Sequence, residues 1–146
     1  MLWKSRLVGS ALTLALIVGA IAVRAQEEAP HSKVHKLPHA TVTELMTKDL
    51  KDYPGKEAET ILVEFVPGAV DPIHRHDAHA FVYVLEGSIV MGLKGQKEVT
   101  LNPGDVFYEG PNDIHTVGRN ASATKPAKFL VTLLKKRGAP VVLPVK

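Results

Sequence analysis

The chain has no cysteine among its 146 residues, one tryptophan, and aromatic residues at only 5%. Without cysteine there is no disulfide staple and no lipoprotein anchor, so a folded domain here must bury a sufficient apolar core without disulfides. No segment carries a convincing amphipathic-helix pattern, and no internal repeat points to a second domain. A long apolar run occurs once, from Leu7 to Val23, behind the basic pair Lys4 and Arg6. Val23 and Ala25 suit the −3 and −1 positions of a signal-peptidase site, so residues 1–25 are read as a signal peptide cleaved after Ala25. That reading places the mature protein in the periplasm or outside the cell. A retained N-terminal membrane anchor is the alternative, although the run is at the short end of the roughly 17–25 residues that span a bilayer. Lys4-Ser5-Arg6 is not a twin-arginine signal, so the expected export route delivers an unfolded chain.

A surplus of charge is missing as well. Removing the leader takes away Lys4, Arg6 and Arg24, so Lys+Arg falls from 18 to 15, equal to the 15 Asp+Glu. A neutral mature chain gives no electrostatic reason to bind nucleic acid, or a membrane once the signal is cleaved. The 121 residues that remain suit one domain.

Residues 26–39, with Pro30 and Pro38, read as a flexible lead-in. They contain His31, His35 and His39, whose spacing by four would align them on a helix, but the two prolines oppose that helix. A solvated tail and a metal contact are the two readings of these histidines. The barrel domain is taken as residues 40–146. Its expected strands are 41–45, 60–66, 80–85, 89–93, 98–101, 106–108, 114–117 and 128–134, with a polar, turn-rich stretch from 48 to 59. Turn signals such as Pro67-Gly68 and Pro103-Gly104-Asp105 separate them, and short strands at this spacing indicate an all-β barrel or sandwich.

The most informative feature is His74-Arg75-His76. Two histidines at i and i+2 on an extended segment project to one face. His115, returning on a later strand, can complete a three-imidazole cup for a divalent metal. The chain then resembles the cupin superfamily through two motifs. In the first, Gly68, His74, His76 and Gly87 hold the family spacing, but Ala80 stands where the family has glutamate. In the second, Gly104 and His115 match, whereas Gly110, Asn112 and Arg119 replace the family's Pro, Gly and Asn, with Asn120 one residue on.

This resemblance implies a single cupin jelly-roll β-barrel binding one metal ion (Zn, Cu, Fe, Ni or Mn) through His74, His76 and His115. A metal-free cupin, in which the three are ordinary core or surface histidines, is the alternative. His79, beside the vacant Ala80 position, is a candidate fourth ligand, although strict alternation points it to the opposite face. Tyr83, Tyr108 and Glu109 are read either as pocket residues or as ordinary packing for the tyrosines and solvent exposure for Glu109. Three neutral imidazoles would leave the ion its full charge, favouring a small anionic ligand. Without a carboxylate they would also favour zinc or copper over iron.

Two function classes follow. One is an exported small-molecule metalloenzyme, dioxygenase-like or isomerase-like, resembling the quercetin-dioxygenase type in which the metal holds an oxygen-bearing substrate and leaves a place for dioxygen. The other is a non-catalytic periplasmic module that binds or senses a metal or small anion. A homodimer is a further expectation, with Thr41–Leu45 adding to a partner's sheet edge.

Overall fold

The computed structural model describes residues 33–145. The signal peptide, its cleavage site and His31 lie outside the described residues. Among the described residues every regular element is a strand. The strands are β1 (Val34–Lys36), β2 (Ala40–Asp49), β3 (Lys56–Phe65), β4 (His74–Arg75), β5 (Ala78–Glu86), β6 (Ile89–Leu93), β7 (Val99–Leu101), β8 (Val106–Glu109), β9 (Ile114–Asn120), β10 (Ala127–Lys136) and β11 (Leu143–Pro144). They form two sheets, of order β1-β2-β3-β10-β5-β8 and β11-β4-β9-β6-β7, and make the expected all-β jelly roll.

Alternation explains which faces meet. Along β5, Ala78, Ala80, Val82 and Val84 are buried while His79, Phe81, Tyr83 and Leu85 are exposed. Along β10, Phe129, Val131 and Leu133 point inward in the same way. They meet Ile61, Val63 and Phe65 of β3 across a ten-residue register from Ala127↔Phe65 to Lys136↔Lys56. Phe65 and Phe129 pack edge to face with ring centres 5.0 Å apart. The inward pattern of β10 ends on Lys135, which is buried and paired with Glu57, with Glu59 at 2.9 Å and with the Ala139 carbonyl at 2.7 Å. Burying an ammonium is tolerable only with such partners.

Three sequence expectations are revised. The polar stretch from 48 to 59 is mostly strand: β2 runs to Asp49 and β3 starts at Lys56, leaving only residues 50–55 as the turn. Hydrophobic patterning misses these strand ends because their side chains are mostly charged or polar, exposed on β2 but on β3 including the buried Glu57, while the backbone ladder continues regardless. Within the lead-in, Val34–Lys36 is a strand paired with Thr41–Thr43, and Pro38-His39 is the tip of the hairpin closed by Leu37 and Ala40. Pro38, one of the two prolines that oppose a helix, serves here as a turn residue; Pro30 lies outside the described residues. Thr41–Thr43, the first part of the segment expected to meet a partner, is not a free edge, since β1 pairs with one side of it and β3 runs along the other.

Asn120 of the Asn120-Ala121-Ser122 sequon is buried, and its amide donates to the carbonyls of Val66 at 3.0 Å and Lys125 at 2.8 Å. It therefore ties two loops together rather than presenting a surface acceptor.

Gly87, at the β5–β6 hairpin, has φ +69°, and a Cβ there would stand 2.5 Å from the Pro126 carbonyl oxygen. Gly87→Ala combines a left-handed backbone with a backbone clash. It is expected to destabilise the fold by about 2 kcal/mol or more, measured as a shift in the urea midpoint at unchanged slope.

Candidate metal centre

Three histidines converge because two strands are in register. His74 on β4 lies directly opposite His115 on β9, and His76 follows two residues later on the same face. The His74 ring centre is 4.8 Å from that of His115 and 4.9 Å from that of His76. All three are buried.

A fourth group joins them. Glu109, the last residue of β8, is only 3% exposed, and its Oε2 is 3.5 Å from both His76 Nε2 and His115 Nδ1. One donor atom from each of His74, His76, Glu109 and His115 lies within 4.8 Å of the others. The expectation of a solvent-exposed Glu109 is therefore corrected. The reason is in the register: Glu109 pairs directly across from Ala80. The carboxylate absent from the first motif at Ala80 enters the same space from the neighbouring strand, and the small Ala80 side chain leaves room for it.

His79 is not among these donors. It is exposed on the outer face of β5, and its Nδ1 lies 2.7 Å from the Tyr108 hydroxyl. Strict alternation holds through this segment, which corrects the fourth-imidazole reading. Tyr83 and Tyr108 share that outer face and are about half exposed. His35 and His39, in the described part of the lead-in, line the same cavity as the four donors without joining their cluster.

Two of the imidazoles have fixed tautomers. His74 Nδ1 donates to the Pro72 carbonyl at 2.8 Å, and His76 Nδ1 donates to the Val141 carbonyl at 2.5 Å. Each ring therefore presents a bare Nε2 to the cluster, which is how proteins orient metal-binding histidines. Burial lowers the His76 pKa, and burial together with the neighbouring His74 lowers that of His115 to about 4. Burial, reinforced by Asp113 and Asp71, raises the Glu109 carboxyl to about 7.

These residues fit a cation. Donors held about 2.0–2.2 Å from a common ion stand about 3.0–3.5 Å apart. The separations here are 3.3 Å for His115 Nδ1 to His74 Nε2 and 3.5 Å to Glu109. The 3.5 Å contacts are too long for good hydrogen bonds, and His115 Nε2 is buried with no partner. A positive ion placed among His74 Nε2, His76 Nε2, His115 Nδ1 and the Glu109 carboxylate would satisfy the lone pairs that crowd there, which are otherwise met only by the long 3.3 Å contact between His115 Nδ1 and His74 Nε2.

Comparison with known proteins identifies the family of this fold. A cupin-domain family model matches residues 61–133, half of the chain. The chain belongs to the cupin family. This cupin is 29% identical over 73 residues to a cupin-domain-containing oxidoreductase, fogC, of Aspergillus ruber, covering 50% of this chain and 36% of the relative. It is 34% identical over 58 residues to the pectin degradation protein KdgF of Dickeya dadantii, covering 39% of this chain and 52% of the relative. The cupin thus spans about a third to a half of the length of these curated relatives. The solved structure of KdgF from Halomonas sp. superposes with a TM-score of 0.57 at 20% identity, covering 72% of this chain and 89% of that one. At that identity the likeness shows the fold.

Glu109 changes one inference about the ion. The expectation of zinc or copper rested on a site without a carboxylate, and that premise no longer holds. A carboxylate in the set lessens the bias against iron and manganese, so the donor set no longer singles out zinc or copper. His79→Ala is expected to leave metal content and affinity unchanged, because the ring faces solvent. Elemental analysis of the purified variant checks this, and a drop in metal content would return His79 to the site.

Proposed function

We propose that this cupin is a metal-dependent enzyme for a small, largely apolar molecule that presents an enol, phenol or carboxyl oxygen to the cup. The observation that carries this reading is the convergence of His74, His76, His115 and Glu109 on a cavity of about 680 Å³. Its wall is otherwise dominated by apolar side chains such as Ile61, Val82, Met91, Phe129 and Val131. A pocket of this kind takes an apolar body and uses its few polar groups to orient one end.

A divalent ion held by these four residues would act as a Lewis acid toward an oxygen of the substrate. Glu109 cancels one of its two charges, so the loaded cup favours a monoanion. His74 and His76, pinned by backbone carbonyls, hold the cup in shape while the apolar wall excludes water from the bound oxygen. A cupin-domain-containing oxidoreductase and a pectin degradation protein among the relatives support an enzymatic role, and the reaction is proposed as either dioxygenase-like or isomerase-like. The export reading belongs to the same proposal. Leu7–Val23 and Ala25 have the pattern of a cleavable signal, and N-terminal sequencing of secreted material should begin at Gln26.

The test is turnover of a panel of enols and phenols by metal-loaded protein, with dioxygen consumption and product spectra recorded together. Turnover that disappears in His76→Ala supports the proposal. Dioxygen uptake indicates the dioxygenase form, and product without uptake the isomerase form. Tight binding without turnover across the panel would overturn the enzyme reading in favour of a binding module.

A further inference from the structure

The cavity contains a second polar pair that the four metal donors do not use. His39, at the tip of the β1–β2 hairpin, and Asp71, in the segment between β3 and β4, both line it. His39 Nε2 is 3.0 Å from Asp71 Oδ1, and both side chains are more than three-quarters buried. Asp71 is itself held in place: its backbone N–H donates to the Gly118 carbonyl at 2.7 Å. Gly118 also leaves space for its carboxylate. A Cβ there would stand 3.1 Å from Asp71 Oδ2 and 3.0 Å from His115 Cε1, so Asp71 sits between His39 and the edge of the metal cup.

The other carboxylates on the cavity wall, apart from Glu109, have cationic partners of their own. Glu44 faces Lys33 at 3.4 Å, and Glu59 faces Lys135 at 2.9 Å. Asp71 is instead paired with an imidazole. A carboxylate only accepts hydrogen bonds, so the Nε2 that faces it carries a proton, and in the neutral ring the lone pair is on Nδ1. A carboxylate that orients an imidazole and stabilises its protonated form is the arrangement of a general base.

We propose that His39 is the proton-accepting group of this cavity and that Asp71 is its positioning residue. A substrate O–H docked at the cup gives its proton to His39 Nδ1. The substrate oxygen keeps the bonding electron pair, and its negative charge is met by the loaded cup. His39 becomes an imidazolium beside Asp71, and no oxidant or further reactant is required. This inference rests on the proposed metal-dependent function, because the cup must receive the anion.

The experiment uses catechol as the probe and the zinc-loaded protein, with calorimetry in buffers of different ionisation enthalpy to count protons released on binding. Wild-type protein should release one proton fewer than His39→Gln, because its imidazole retains that proton inside the complex. Asp71→Asn should shift the count in the same direction. Zinc stoichiometry is expected to stay at the wild-type level in both variants. Imidazole 15N shifts of His39 in the wild-type protein provide a measurement that needs no variant, and catechol should convert the ring to its doubly protonated form.

Equal proton release by all three proteins, or an unchanged His39 ring, would overturn the relay and leave the metal site intact. A salt bridge that only ties down the hairpin would change melting temperature without moving the proton count. Failure of catechol to bind zinc-loaded wild-type protein, or binding indifferent to His76→Ala, would overturn the site reading and the relay together.

Discussion

Glu109→Ala is expected to reduce metal affinity by more than about a hundredfold, since even the groups that merely support metal ligands are worth 10–100-fold. The expectation rests on the position of Glu109, buried within 3.5 Å of His76 and His115. Ala80→Glu alone should not improve the site. Ala80 is fully buried, so a longer side chain there overpacks the interior by about 1–3 kcal/mol, and its charge would face Glu109 across the strand pair. The double variant Ala80→Glu/Glu109→Ala moves the carboxylate from one strand to its directly paired neighbour at nearly constant volume, and it should regain most of the lost affinity. Competition against a chelator of known affinity reads all three proteins. Wild-type affinity in Glu109→Ala would show that the fourth ligand is not this carboxylate.

Removing the metal should produce the largest change in stability. Metal at about a thousandfold above its dissociation constant adds about 4 kcal/mol to the folded state, which is about 15 °C in melting temperature for a domain of this length. The gain depends on pH in a direction set by Glu109. Its carboxyl, raised to about 7, must lose a proton to bind the ion, so the gain should be full above pH 7 and shrink as pH falls below it. His76 and His115 compete less, because burial lowers the first below the ordinary imidazole value and holds the second at about 4.

The metal-free protein behaves differently. The imidazoles have depressed values, so the unfolded chain takes up protons first as pH falls below about 6.5, and their contribution to stability is lost on acidification. Glu109 opposes this, since its raised value favours the folded state below about 4.5 and the advantage is lost as pH rises through about 7. Between pH 5 and pH 7 the raised carboxyl and the depressed imidazoles pull in opposite directions, so stripped protein should show a much flatter pH dependence than the metal-induced gain. Scanning calorimetry of loaded and stripped protein across this range checks both trends. A metal-induced shift that is independent of pH would exclude Glu109 as a ligand.

Period-two alternation and motif spacing were enough to read the inner strands and their faces. They gave the strand ranges that contain the buried Ile61, Val82, Phe129 and Leu133, aligned His74 with His76, and turned His79 away from them. These are local properties: a side chain's face follows from its position along its own strand. The same logic contained a faint signal for Glu109, two residues beyond the inward-leaning Phe107. The run Val106-Phe107-Tyr108 is apolar at every position, so no alternation could be read from it.

Tertiary structure decided what depends on register between distant segments. The pairing of Ala80 with Glu109 supplies the missing carboxylate, and the hairpin at Pro38-His39 carries a histidine from an apparent tail to Asp71 on the cavity wall. The sequence by itself determined an all-β cupin with three converging histidines, because strand faces and motif spacings are local. The fourth ligand and the second polar pair are cross-strand and cross-loop juxtapositions, which exist only once the sheets have paired.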